Sequence, residues 1–294
     1  MAVSVDLAIP QPRAVAAKAP RTAWYRRSTS VWVGGAIVTV LVLAAVLAPL
    51  IAPYDPYAMN PAIRLQPPSA SNLFGTDNYG RDLLTRLVFG ARVSLIVGLA
   101  SIAVAVLIGV SIGLVSGYVG GWSDLLIMRG VEIVQAFPPL LLALALVSIM
   151  EVGIGSVILA VGLVQWTVFA RVVRASALAL KQEEFVLAAR VIGLTGPRIV
   201  LGHILPNAAA PLVVLATLGI GTAITTEAAL SFLGLGVPPP TPSWGATLAF
   251  GLSYMRDSPH LATLPGLAIM VTVLGFNLLG DGLRDLSDPR LRRG

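Results

Sequence analysis

Hydrophobic positions along this chain do not alternate with polar ones. They come in long unbroken runs, separated by shorter segments that carry nearly all of the charge. Six runs, residues 31–52, 93–117, 133–150, 152–170, 208–226 and 261–280, contain no Asp, Glu, Lys or Arg. A helix rises about 1.5 Å per residue, so crossing a hydrocarbon core about 30 Å thick takes about 20 apolar residues. Each run is of that order. Helices are required, because unpaired backbone groups in lipid are too costly, and the runs are too long and continuous for barrel strands. The pattern predicts an all-α integral membrane protein of six transmembrane helices. The third and fourth form a hairpin with a short turn around Glu151 and Gly153.

Composition agrees with this reading. The chain of 294 residues is 56% hydrophobic and 12% charged, about half the charge of a soluble domain. It has no cysteine, which excludes disulfides and thiolate metal sites, and His203 and His260 lie too far apart in sequence to point to a metal site. The net charge of +6 does not indicate nucleic acid, because the basic residues flank apolar runs instead of clustering on a polar face. Lipid is the expected surrounding.

Lys and Arg also set the direction of the spans. With the N-terminus in the cytoplasm, fifteen of the twenty fall inside, and only Arg64, Arg81, Arg86, Arg92 and Arg256 fall outside. Both termini are therefore expected in the cytoplasm. The organisation that follows is a cytoplasmic, largely disordered segment 1–30, a first span 31–52 and an extracytoplasmic loop 53–92. A transmembrane core 93–283 with a cytoplasmic loop 175–206 comes next, then a cytoplasmic tail 284–294. A cleaved signal peptide does not fit residues 31–52, which lie far from Met1 and exceed the usual 7 to 15 apolar residues of such a core. Trp24 and Tyr25 beside Arg26 and Arg27 suit an interfacial anchor.

The cytoplasmic stretch from Lys181 to Pro206 reads as two short helices. Phe185, Ala188, Ala189 and Ile192 share one side of the first, which Gly193 terminates. Pro197 suits the first turn of the second, and Pro206 closes or kinks it. An apolar face outside the membrane calls for a protein partner. Ala188-Ala189, three residues, Gly193, nine residues and His203-Ile-Leu-Pro206 resemble the loop by which permeases of ATP-binding-cassette (ABC) importers dock in a groove of the ATPase subunit. Where the family usually has a Glu before the two alanines, this chain has Leu187, leaving Glu183 or Glu184 to take its part.

The resemblance covers most of the chain. Phe74-Gly75-Thr-Asp77-Asn-Tyr-Gly80-Arg81-Asp82, continuing through Arg86, Gly90, Arg92 and Ser94, looks like the approach to the second span in the peptide and nickel branch. So do Glu227 to Gly236 with Ser243-Trp244-Gly245, and the ending Asn277 to Asp285 with Asp288-Pro-Arg290. Within that branch the long loop after the first span resembles the second, C-type permease. The resemblance implies a type I importer permease in a bacterial inner membrane. It also implies a heterodimer with a second homologous permease, two ABC ATPase subunits and an extracytoplasmic binding protein that delivers the solute. Relatives carry peptides, nickel chelates, glutathione and opine-like compounds. The chain has no Gly-x-x-x-x-Gly-Lys-Ser/Thr loop for phosphates, so ATP and Mg are expected on the partner subunits, with no cofactor and no catalytic residue here.

Polar residues near the spans need individual explanations. Asp77, Arg81 and Asp82 can pair with one another, with Gly75 and Gly80 permitting tight turns. They are expected to form an outer-face scaffold packed on the binding protein or the partner permease. Arg129 and Glu132, three apart, suit a helical ion pair; the family usually has Asp at the second position. Glu227, near the outer end of the fifth span, either lines the pathway or serves helix packing. Phe137-Pro138-Pro139 should kink the third span, as a gate or as static architecture. Gln165 and Asn277, within spans four and six, contact solute or bond across helices. Gly98, Gly109 and Gly113 suit close helix packing. Ser243 is expected on the outer surface and Gln182 on the inner. An ion-driven transporter would need ionisable groups at mid-membrane, and an intramembrane enzyme a nucleophile paired with a base; the sequence shows neither.

Overall fold

The computed structural model describes residues 22–287, with side chains from Thr29 onward. Of the segment 1–30 expected to be largely disordered, residues 1–21 lie outside what is described, as do the side chains of the expected anchor at Trp24 and Tyr25 and the last seven residues. Among the described residues the protein is built of helices, with an isolated β-bridge between Thr76 and Asp82. Helix α1 (Thr22–Val46) is followed by a short α2 (Ala48–Ile51) and, after a long loop, by α3 (Leu83–Val119). Then come α4 (Gly121–Gln135), α5 (Pro139–Ser148) and α6 (Ile154–Leu180). The second half holds α7 (Glu184–Val191), α8 (Gly196–Ile199), α9 (Leu205–Phe232), α10 (Trp244–Leu252) and α11 (His260–Ser287).

Among the described residues five helical segments are long and apolar enough to cross a membrane, and a bent pair makes a sixth when its two limbs are taken as one span. The first helix begins at Thr22, so residues 22–30, expected to be largely disordered, are helical, while the apolar span itself starts at Thr29. The expected third span is not one helix. Its two limbs, α4 and α5, meet at 87°, and at 15 and 10 residues neither alone reaches across a core about 30 Å thick. The cause is local: Pro138 and Pro139 offer no backbone N–H, and Pro138 sits at φ −56 and ψ 126, outside the helical region. The kink expected at this place is therefore a near right angle.

Helix α3 starts ten residues before its apolar run because Asp82 caps it, its carboxylate accepting from the Thr85 N–H at 2.8 Å. With 37 residues it is about 55 Å long and projects well beyond the bilayer core. It packs most extensively on α6. Gly109, Gly113 and Gly117 fall on one face of α3, and an added Cβ there would approach Phe169 Cβ at 2.6 Å, Val173 Cβ at 2.9 Å and Ala177 Cβ at 2.7 Å. Small residues let the two backbones touch, the usual route to tight helix packing in lipid. Around this pair, α9 packs on both α3 and α11, and α1 lies on α11.

The second helix of the 181–206 stretch does not end at Pro206. It runs through a π-helical turn, Val200–Ile204, into α9. Pro206 has no N–H, and Leu205 reaches back five residues to donate to Val200 O, so the ladder shifts by one residue and the chain continues.

Candidate functional site: a docking helix and a membrane cleft

Helix α7 follows α6 directly and lies against the end of α3. Its C-terminus closes in a Schellman arrangement, with Gly193 N–H donating to Arg190 O at 3.0 Å and Leu194 N–H to Ala189 O at 3.1 Å. Gly193 takes φ +82, which a side chain would strain. The Arg190 guanidinium lies 5.4 Å over the Tyr118 ring, and Lys181 Nζ donates to Gly117 O at 2.9 Å. Val186 and Ala189 are buried against the body of the protein. Phe185, Leu187 and Ala188 are exposed, as are Val191 at 87% and Ile192 at 75%. The expected single face of Phe185, Ala188, Ala189 and Ile192 is thus divided: Ala189 points inward, while the others, joined by Leu187 and Val191, form an exposed apolar crown. Glu183 and Glu184 are exposed beside it. His203 lies in the π-turn, where its carbonyl accepts from Asn207 Nδ2 at 2.7 Å, and Pro206 is exposed.

The same end of the molecule contains an ion pair that joins segments far apart in sequence. Arg174 of α6 donates through Nε and Nη2 to the Asp124 carboxylate of α4, at 2.5 and 2.6 Å, and Ser116 of α3 donates to Asp124 Oδ1 at 2.5 Å. Arg129 and Glu132 pair at 2.9 Å as expected, with side chains 70% and 53% exposed, so the bond carries little stability.

Where α4 bends into α5, a cleft of about 450 Å³ opens against α6 and α9. Phe137, Pro139, Gln135, Gln165, Leu218 and Gly219 are among its lining. Gln165 Nε2 is buried with no hydrogen-bond partner, so the expected bond from this residue to another helix is not made by that donor. Pro138 is exposed at the bend. Asn277 is exposed on α11, lies near Gly221 of α9, and makes no side-chain hydrogen bond among the described residues; it is not part of the cleft.

Glu227 does not line the cleft either. It is fully buried, accepting from Ser94 Oγ at 3.1 Å and from Ser231 Oγ at 2.8 Å, while Ser243 donates to Ser231 at 3.3 Å. Of its two expected roles, the packing one matches this placement: the carboxyl gathers hydroxyls from α3, α9 and the start of α10. Ser243 is correspondingly sealed and caps α10 through the Ala246 N–H, which overturns its expected position on the outer surface. Gln182 is exposed.

The Gly-Thr-Asp-x-x-Gly-Arg-Asp motif forms a buried knot inside this chain, not an exposed patch for a partner. Asp77 Oδ2 accepts from Arg81 Nε at 2.7 Å and lies 3.6 Å from Arg86 Nε; Asp77 Oδ1 accepts from the N–H groups of Tyr79 and Arg81. Asp82 does not join this pair. It caps α3 and takes a bond from Asn72 Nδ2 at 2.9 Å. Arg86 Nη1 reaches the carbonyls of Pro56 and Pro240, tying two loops to the helix. Gly80 is at φ +72, and a Cβ on it would collide with the Asn60 carbonyl.

A scan against protein families finds the "Binding-protein-dependent transport system inner membrane component" over residues 109–293, and the "N-terminal TM domain of oligopeptide transport permease C" over residues 21–68. The chain belongs to the family of binding-protein-dependent inner-membrane permeases. It is an ABC importer permease, a multi-pass protein of the bacterial inner membrane. Among its relatives, the dipeptide transport permease DppC of Alkalihalophilus pseudofirmus is 45% identical, with 88% of this chain and 86% of that protein aligned. The glutathione transport permease GsiD of Pectobacterium atrosepticum is 42% identical over 94% of each. Among solved structures, an inward-facing form of the MetNI methionine ABC transporter matches 69% of this chain and 97% of its own at a TM-score of 0.56 and 19% identity, which places the permease in the same fold. The permease also has features that its sequence pattern did not disclose. Helix α10 follows Ser243, a capping residue that signals a helix start, but the Asp124 and Arg174 pair spans fifty residues and carries no local signal.

Proposed function

We propose that this permease joins a second homologous permease to form the membrane pathway for peptides or peptide-like solutes, delivered by an extracytoplasmic binding protein. Two ATPase subunits, carrying the ATP and Mg, engage the crown of α7. The observation that carries this reading is the crown itself. Helix α7 is tied to α3 by Arg190 over Tyr118 and buries Val186 and Ala189, yet Phe185, Leu187, Val191 and Ile192 are left exposed; such a patch marks a protein contact. Closure of the ATPase pair would push α7, and α3 and α6 with it, as one body. Dipeptide and glutathione permeases among the relatives support the solute class. The test is uptake by proteoliposomes containing this permease, its partner permease, the ATPases and the binding protein. Peptide accumulation is expected only with hydrolysable ATP; accumulation driven by an ion gradient without nucleotide would overturn the reading.

The same reading places α7 and both chain ends in the cytoplasm, as the Lys and Arg distribution requires. Because the chain has no native cysteine, single cysteines report its direction. In intact cells an impermeant thiol reagent is expected to label Asp257→Cys and not Gln182→Cys, both positions being exposed. The reverse pattern would invert the orientation.

A further inference from the structure

The cleft at the α4–α5 bend contains two side-chain amides with no other evident purpose. Gln135 is the last residue of α4, and Gln165 projects from α6 with its Oε1 3.6 Å from where a Cβ on Gly219 would stand. Both line the one cleft. Gln165 Nε2 is buried and unpartnered, and Gln135 makes no side-chain hydrogen bond among the described residues. The hydroxyls of Thr167 and Thr222, on the same walls, donate to carbonyls of their own helices. The Gln165 donor is closed off from water in this conformation, which is costly; rotation of the amide about its last side-chain bond turns it toward the cleft. At about 450 Å³ the cleft lies within the roughly 300–1,000 Å³ usual for small-molecule sites. Its lining residues include no Asp, Glu, Lys or Arg.

These facts select a class of ligand group. A primary amide offers a donor and an acceptor side by side, the complement of a peptide unit, which offers an acceptor and a donor in turn. An uncharged cleft suits the neutral main chain of a solute better than its charged ends. We infer that Gln135 and Gln165 form a transit subsite that recognises the main-chain amide of a peptide as it passes the bent helix. The inference rests on the proposed function, because it requires peptides to enter the pathway.

The test compares trialanine with an analogue in which an ester replaces the central amide, in proteoliposomes of the full complex with the same binding protein throughout. Gln165→Leu, which keeps the bulk and removes the amide, is expected to lower trialanine uptake about tenfold and ester uptake much less. The peptide-to-ester ratio then falls toward one. Gln135→Leu should shift the ratio the same way, and Gln165→Asn should restore part of it. A general defect in folding or assembly would lower both rates together and leave the ratio at the wild-type value. An unchanged ratio in both leucine variants overturns the subsite while leaving peptide transport intact. A wild-type complex that moves no trialanine with ATP overturns the function on which the subsite rests.

Discussion

Replacing Val191 and Ile192 together by Asp is expected to reduce ATP-driven uptake at least tenfold while the permease remains folded and inserted. In the isolated chain these side chains are 87% and 75% exposed, and changes at such positions cost about 0.5 kcal/mol or less. Buried at the centre of an interface, residues of this kind cost about 2 kcal/mol or more when lost, and a carboxylate adds the penalty of entering an apolar contact unpaired. Each 1.4 kcal/mol is about tenfold in affinity. Two measurements separate the possibilities: recovery of the ATPase on tagged permease, and uptake at matched permease levels. Val186→Asp and Ala189→Asp form the contrasting set. Both positions are buried against α7's own support, so these variants should lose the permease itself. Wild-type uptake and full ATPase recovery with Val191→Asp and Ile192→Asp would show that the crown is not the docking face.

The division of α7 illustrates what the sequence could and could not disclose. Periodicity showed that residues 184–192 make an amphipathic helix, but two apolar stripes about 100° apart are both consistent with one short helix. Only the position of Tyr118 and the ends of α3 and α6 decides which stripe faces inward. Long apolar runs were legible because a membrane span is a property of the run itself. The end of α3 nearest Asp82 was less so: its first ten residues contain Arg86 and Arg92 and read as loop, yet Arg86 lies 3.6 Å from Asp77 and donates through Nη1 to two distant carbonyls. Ser243 was misplaced for the same reason. A serine among prolines looks solvent-exposed until Ser231 and Glu227, more than ten residues earlier, are seen to seal it. The two prolines make a kink legible at Pro138, but its near right angle comes from the extended ψ 126 that Pro138 adopts, which the sequence pattern does not specify.

The second large effect concerns the buried knot that starts α3. Asp77→Ala is expected to eliminate most of the folded permease, and Arg129→Ala to change little. Both remove one partner of an ion pair, so formal charge alone does not distinguish them. Burial does. The Asp77 and Arg81 side chains are 7% and 6% exposed, and truncating Asp77 strands two guanidiniums, Arg81 and Arg86, away from water with only neutral partners. Breaking a buried pair in this way costs about 3–5 kcal/mol, a large part of the roughly 5–15 kcal/mol that holds a typical domain together. The loop N–H groups of Tyr79 and Arg81 lose their acceptor as well. The exposed Arg129 and Glu132 pair is worth at most about 1 kcal/mol. Thermal unfolding of the detergent-solubilised variants reads the difference directly. Asp77→Asn, which can still accept from the two N–H groups but carries no charge, should fall between wild type and Asp77→Ala. Equal melting temperatures for Asp77→Ala and Arg129→Ala would mean that the knot is not what anchors the long loop to α3.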